Sequence, residues 1–204
     1  MRESPGRKEK KKTAPRPDIP DCIVLCGPRA CGKTSVGQAL IERLPDWRYL
    51  DLDDEYQLRC RCHPDLRNEL LATNRYYDIC HEILEEQLGS RQLVIGLGGG
   101  ALANSTSPNT CLENLQLIRQ LGVLVLLLPS RFDFLNCGIL HRRERRRKAY
   151  RITKEDVAGQ YSARIPYLRN YADFTVHGGS PANAANKIIR FLRMHEPGSG
   201  VRLK

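Results

Sequence analysis

The stretch CIVLCGPRACGKTSVGQAL, Cys22 to Leu40, limits the folds open to this chain more than any other. Its first five residues form an apolar run that reads as a short buried strand. Gly27–Thr34 then fit the spacing GxxxxGK[ST], and an amphipathic helical pattern continues through Leu44. A strand, a glycine-rich turn and a helix, in that order, make a phosphate-binding loop. Glycine lets successive backbone N–H groups turn inward, and the helix N-terminus adds the positive end of its dipole. The expected phosphate contacts are Gly27, Ala30, Cys31, Gly32, Lys33, Thr34 and Ser35. Lys33 should reach the β- and γ-phosphates and the Thr34 hydroxyl should ligate Mg2+, which implies ATP or GTP as ligand.

The rest of the chain alternates strands with helical patterns. WRYLDL gives a second strand, LVIGL (Leu93–Leu97) a third, VLVLLL a fourth and FTV (Phe174–Val176) a short fifth. Helices are expected over Tyr76–Leu88, near Cys111–Leu121, and from Pro181 to Met194, where Ser180 supplies the N-cap. Short buried strands separated by helices predict an α/β fold with a parallel sheet covered on both faces.

Net charge is +10, but it is local: residues 1–20 and His141–Arg151 account for all of it. The remainder is near neutral, which argues against a dedicated nucleic-acid binder. Residues 1–20 are rich in Lys, Arg and Pro and read as a disordered basic arm; 195–204 read as a flexible tail. Residues 21–194 are then a single domain. Eight cysteines without a CxxC pair, and no signal peptide, fit a reduced, cytoplasmic protein. The cluster CRCH (Cys60–His63) lacks a second ligand pair at zinc spacing. No apolar run approaches the ~20 residues of a membrane span.

Two further elements point to an acceptor. YLDLDDEY places Asp51 and Asp53 two residues apart at the end of the second strand, where period two would turn both carboxylates the same way. In a parallel sheet that end faces the phosphate loop. One carboxylate could hold a magnesium-bound water and the other could take a proton from an attacking hydroxyl. Gly98, Gly99 and Gly100 follow the third strand at the same edge, where bare backbone can approach a ligand.

The loop GPRACGKT, then DLD, then GGG after the next strand, then RIP near the C-terminal end together resemble the shikimate kinase family over residues 22–194. The resemblance implies a five-stranded parallel sheet of order 2-3-1-4-5 in three layers. It also implies an enzyme that moves the γ-phosphate of ATP to the 3-hydroxyl of a small molecule, shikimate; a monomer is expected. By the same resemblance Asp51 supports Mg2+ through water, and Asp53 binds the reacting hydroxyl as base. Gly98–Gly100 line the acceptor site and Arg164 clamps the acceptor carboxylate, a task suited to a planar guanidinium. Pro181 packs on adenine.

The family's Phe-Arg pair, a second carboxylate clamp, reads Tyr76-Tyr77 here. Tyr77 occupies the acceptor position without a guanidinium, a change worth about 2–3 kcal/mol of binding. Either a lid arginine compensates, or the acceptor is a different polyol such as gluconate, or a nucleotide. A non-catalytic nucleotide-binding regulator is a third reading, opposed by the intact Lys33, Thr34, Asp51 and Asp53. The run HRRERRRKAYRI falls where the family carries a mobile lid, here about 141–152. The resemblance implies a lid arginine on the transferring phosphoryl group, and counting back from Arg164 favours Arg147 for it, with Arg146 close behind and expected at the nucleotide.

Overall fold

The computed structural model describes residues 21–62, 76–98, 100–103, 108–146 and 152–194. The expected arm at 1–20 and tail at 195–204, together with His63, Gly99 and Arg147, lie outside the described residues. In chain order the elements are β1 (Cys22–Cys26), α1 (Lys33–Ile41), β2 (Arg48–Asp51), α2 (Leu52–Cys62), α3 (Tyr76–Glu85) and β3 (Leu93–Gly96). There follow α4 (Pro108–Leu121), β4 (Val123–Leu128), α5 (Asp133–Arg146), α6 (Lys154–Tyr171), β5 (Phe174–His177) and α7 (Pro181–Met194). The five strands form one parallel sheet of order β2-β3-β1-β4-β5, as the family resemblance implied.

Apolar strands create this arrangement. Every residue of β1, β3 and β4 is buried, although successive side chains point to opposite faces, so both faces of the sheet are covered. Fully burying a leucine or isoleucine contributes about 1.5–3 kcal/mol, and Ile23, Leu25, Leu93, Ile95 and Leu124 all lie at or below 2% exposure. On α7 the buried set Ala184, Ala185, Ile188, Ile189 and Leu192 follows helical period and packs on α1. Gly122 lets the start of β4 approach β1, because a Cβ there would overlap the Cys22 carbonyl oxygen.

Two expectations shift locally. The second strand stops at Asp51, and Leu52 and Asp53 already belong to α2. Asp53, Asp54 and Glu55 make an acidic first turn, which the positive helix end favours, so the helix starts at once. Residues 141–146, the first half of the expected lid, are the last turns of α5. Ser180 does cap α7, accepting from the Asn183 N–H at 3.2 Å.

A polar clamp joins α5 to α6. Asp133 in the first turn of α5 accepts from Arg169 Nη1 at 2.7 Å and from the Tyr161 hydroxyl at 2.8 Å. The buried Asn136 side chain donates to Tyr161 at 2.8 Å and accepts from the Ser130 N–H at 2.7 Å. At the start of α6, Thr153 and Asp156 form a reciprocal capping box, worth about 1 kcal/mol. The Arg169 guanidinium, with Tyr161, holds the Asp133 carboxyl below its ordinary 3.8, at about 2. A lowered folded-state pKa stabilises the fold above the unfolded value and is lost as pH falls through the folded one. Thermal melts should therefore show stability falling between about pH 4 and pH 2, and Asp133→Asn should flatten that part of the profile while lowering Tm at neutral pH. Parallel profiles for the two proteins would remove Asp133 from this role.

Candidate active site

The phosphate loop is bent by backbone that few side chains tolerate. Gly27 has φ 143° and Gly32 φ 108°, and a Cβ on Gly27 would sit 2.5 Å from the Leu127 carbonyl oxygen. Ala30, at φ 59°, holds a left-handed conformation without being glycine, a strain of about 1–3 kcal/mol that recurs at ligand clamps. α1 begins at Lys33 directly after this turn, so its free N–H groups open onto the loop. Lys33 Nζ donates to the Gly27 and Pro28 carbonyls at 3.2 and 3.4 Å, folded over the loop it serves.

Two cavities meet at this loop. The first, of about 320 Å³, is bounded by Ala30, Cys31, Gly32 and Ser35 on the loop side. Arg143, Arg146 and Pro181 bound it on the other. Arg143 Nη1 also donates to the carbonyls of Ala30 and Cys31, each at 3.3 Å, tying α5 to the strained turn. The second cavity, of about 590 Å³, lies beyond Lys33 and Thr34 and holds Asp51, Asp53, Tyr76, Tyr77, Gly100 and Arg164. Ala30 and Gly32 line both, so the loop is the partition between them. Volumes of this size suit a nucleotide on one side and a small polar molecule on the other.

In the second cavity hydroxyls hold the carboxylates. Asp51 Oδ2 accepts from the Thr34 hydroxyl at 3.1 Å and from the Tyr49 hydroxyl at 3.0 Å, and Asp51 Oδ1 accepts from the Asp53 N–H at 3.1 Å. Tyr49 fits because Gly37 and Gly96 lack side chains; a Cβ on either would overlap it. Asp53 Oδ1 accepts from the Tyr76 hydroxyl at 2.8 Å. The Tyr76 ring meets Tyr56 edge-on at 4.9 Å and Tyr77 at 5.2 Å. Gly98 lies under the Asp53–Tyr76 pair, and a Cβ there would overlap both groups. A Cβ on Gly100 would stand 3.4 Å from the Tyr77 hydroxyl and 3.8 Å from Arg164 Nη2, so these two polar groups converge on one bare stretch of backbone.

Burial pushes the phenols of Tyr49, Tyr76 and Tyr77 up, and the nearby Asp51 and Asp53 charges push the first two further. Arg164 opposes the rise at Tyr77. All three therefore stay protonated near neutral pH and can donate.

The structure gathers most of the expected residues at one edge. Ala30, Cys31, Gly32, Ser35, Arg146 and Pro181 bound the first cavity; Lys33, Thr34, Asp51, Asp53, Tyr77, Gly100 and Arg164 line the second. Gly27 and Gly98 shape the walls without lining either cavity. Gly99 and Arg147 are outside the described residues. The period-two argument fails for Asp51 and Asp53, which lie on different elements, yet the two meet through the Asp53 N–H.

Four groups escape a sequence reading: Tyr49, the Tyr76 hydroxyl, Arg143 and Arg29. Tyr49 stands two residues before Asp51 on β2, where the alternation does apply. Arg143 and Arg146 are three apart and share a helix face, visible only once 141–146 is read as helix. Arg29 also lines the second cavity and pairs with the buried Glu144 at 3.1 Å, a contact across 115 residues with no local signal. Among the described residues no group of three His, Cys, Asp or Glu could hold a metal, and Cys60 is a buried free thiol. No described helix is long and apolar enough to cross a membrane.

The chain is similar to several known proteins. A shikimate kinase from Limosilactobacillus fermentum is 30% identical over 179 residues, covering 85% of this chain and 96% of that one. One from Cupriavidus pinatubonensis is 29% identical over 178 residues, covering 84% and 86%. The solved shikimate kinase from Acinetobacter baumannii in complex with shikimate superposes with a TM-score of 0.68 at 24% identity, covering 85% of this chain and 93% of that one. The family model for shikimate kinase matches residues 29–193, nearly the whole described fold, and the chain belongs to the shikimate kinase family.

Proposed function

We propose that this protein is an ATP- and Mg2+-dependent kinase that phosphorylates the 3-hydroxyl of shikimate, working as a monomer in the cytoplasm. The observation that carries the reading is the second cavity: phosphate-loop residues, the Asp51 and Asp53 carboxylates and the Arg29 and Arg164 guanidinium groups line one space beside the loop's strained turn. Lys33 and the α1 N-terminus bind the polyphosphate, while Arg143, Arg146 and Pro181 take the remainder of the nucleotide.

The Thr34 hydroxyl beside the Asp51 carboxylate, 3.1 Å apart, is an all-oxygen donor set that fits Mg2+ held partly through water. When bound, the ion neutralises charge on the β- and γ-phosphates. On the acceptor side Arg164 and the Tyr77 hydroxyl receive the carboxylate across Gly100, and Asp53 receives the 3-hydroxyl proton. The acceptor oxygen then bonds to the γ-phosphorus as the bond to the β-phosphate oxygen breaks, with ADP leaving. Positioning and charge supply most of the catalysis in such a transfer. By the family resemblance, Arg147 adds positive charge to the transferring group.

Tyr77 favours a second reading, because a neutral hydroxyl stands where the family carries a guanidinium. The same cleft would then serve a different hydroxy acid or a nucleotide. A coupled ADP-release assay with shikimate, gluconate and nucleoside monophosphates side by side separates the two. Turnover is expected with shikimate; turnover with gluconate or a nucleotide alone would replace it as acceptor. Asp53→Asn should leave ATP binding within about twofold and lower kcat by at least about 10²-fold, as removal of a general base does. Near-normal turnover would exclude Asp53 as base. Arg164→Ala should raise the acceptor KM at least about tenfold, from the loss of a charged hydrogen bond, with the ATP KM little changed. Equal effects on both KM values would place Arg164 outside the acceptor site.

A further inference from the structure

Asp53 has an exposed side chain in the first turn of α2, a place where an aspartate is free to change rotamer and cap its own helix. It is not free here. The Tyr76 hydroxyl, from the first residue of α3, donates to Asp53 Oδ1 at 2.8 Å. Tyr76 is itself fixed, edge-on between the rings of Tyr56 and Tyr77. Beneath the pair Gly98 leaves room that a methyl group would fill, overlapping the hydroxyl and Oδ1 together. Three segments distant in sequence, the start of α2, the start of α3 and the turn after β3, thus meet around one carboxylate oxygen.

We infer that Tyr76 is a positioning residue for phosphoryl transfer: its hydroxyl engages one oxygen of Asp53 and so presents the other to the acceptor hydroxyl. This rests on the proposed function, in which Asp53 takes the acceptor's proton. A base is effective only when its lone pair lies within hydrogen-bond reach of the proton it accepts, and small misplacements cost large factors in rate. Tyr76 keeps its own proton throughout. An aromatic ring alone would fill the space at this position; the hydroxyl adds the restraint on Asp53. Its effect is therefore on turnover, not on ligand affinity, since neither the nucleotide side nor Arg164 depends on it.

The test compares the full chain with Tyr76→Phe, which keeps the ring and its packing, and with Gly98→Ala, which displaces the pair by another route. For Tyr76→Phe, kcat with shikimate should fall about tenfold. Calorimetric Kd values for ATP and shikimate, and Tm, should stay near wild type. Gly98→Ala should also lower kcat, and the double variant should lose less than the product of the two, because both act through Asp53. A Tyr76→Phe kcat within about twofold of wild type would overturn the inference. So would a loss matched by weaker binding of both ligands or by a lowered Tm, or multiplicative losses in the double variant. Absence of shikimate turnover in the wild-type protein would instead overturn the functional reading, and the inference with it.

Discussion

The register in which β2 pairs with β3, and β3 with β1, decides where the polar groups at this edge of the sheet stand. Asp51 lies opposite Gly96, and Gly96 opposite Leu25, so three neighbouring strands end nearly flush. The phosphate loop, the acidic turn and the glycine turn leave the sheet from those ends. A slip of one residue at β2 would reverse its faces and carry Asp51 away from Thr34, leaving the loop without its carboxylate. The strand that β2 pairs with is held in the core: Leu93, Val94 and Ile95 are fully buried. Packing of apolar strands thus fixes polar geometry at the edge.

At that edge, hydroxyl groups do the work that charge pairs do elsewhere. Asp51 is held by Thr34 and Tyr49, and Asp53 by Tyr76, with no described ion pair to either carboxylate. Neutral donors orient a carboxylate without neutralising its charge. A guanidinium in their place would hold it more strongly and cancel that charge. The cationic groups stand further out: Lys33 on the loop, Arg164 across Gly100, and Arg29 tied to Glu144. Positive charge therefore borders the cavity that holds the two carboxylates.

Much of this was legible in the sequence because it rests on short-range patterns. Glycine spacing revealed the phosphate loop, apolar runs revealed the strands, and motif order revealed the acceptor edge. Strand order came from family resemblance, since β1 pairs with strands more than 60 residues away, which no local pattern encodes. The end of β2 was misjudged because alternation and an acidic helix start look alike over LDLDD, and the helix dipole decided between them. The basic run looked like a loop by charge, yet its first half is helix, anchored by the buried Glu144 facing inward. Tyr49 and Tyr76 were hidden because an aromatic residue reads as core; only distance reveals that each also carries a hydroxyl aimed at a carboxylate.

The central strand begins and ends with cysteine. Cys22 and Cys26 are both buried, and burial drives their thiols up, Cys22 to about 12. Cys80, on the buried face of α3, is likewise pushed to about 12. Thiolate is the reactive form, so these sulfurs are protected from alkylation and oxidation for as long as the sheet is closed. They become chemically visible only when β1 or α3 separates from its neighbours. The fold thus carries its own reporters of opening: the rate at which these thiols react measures how often the catalytic edge comes apart, without any label having to be introduced.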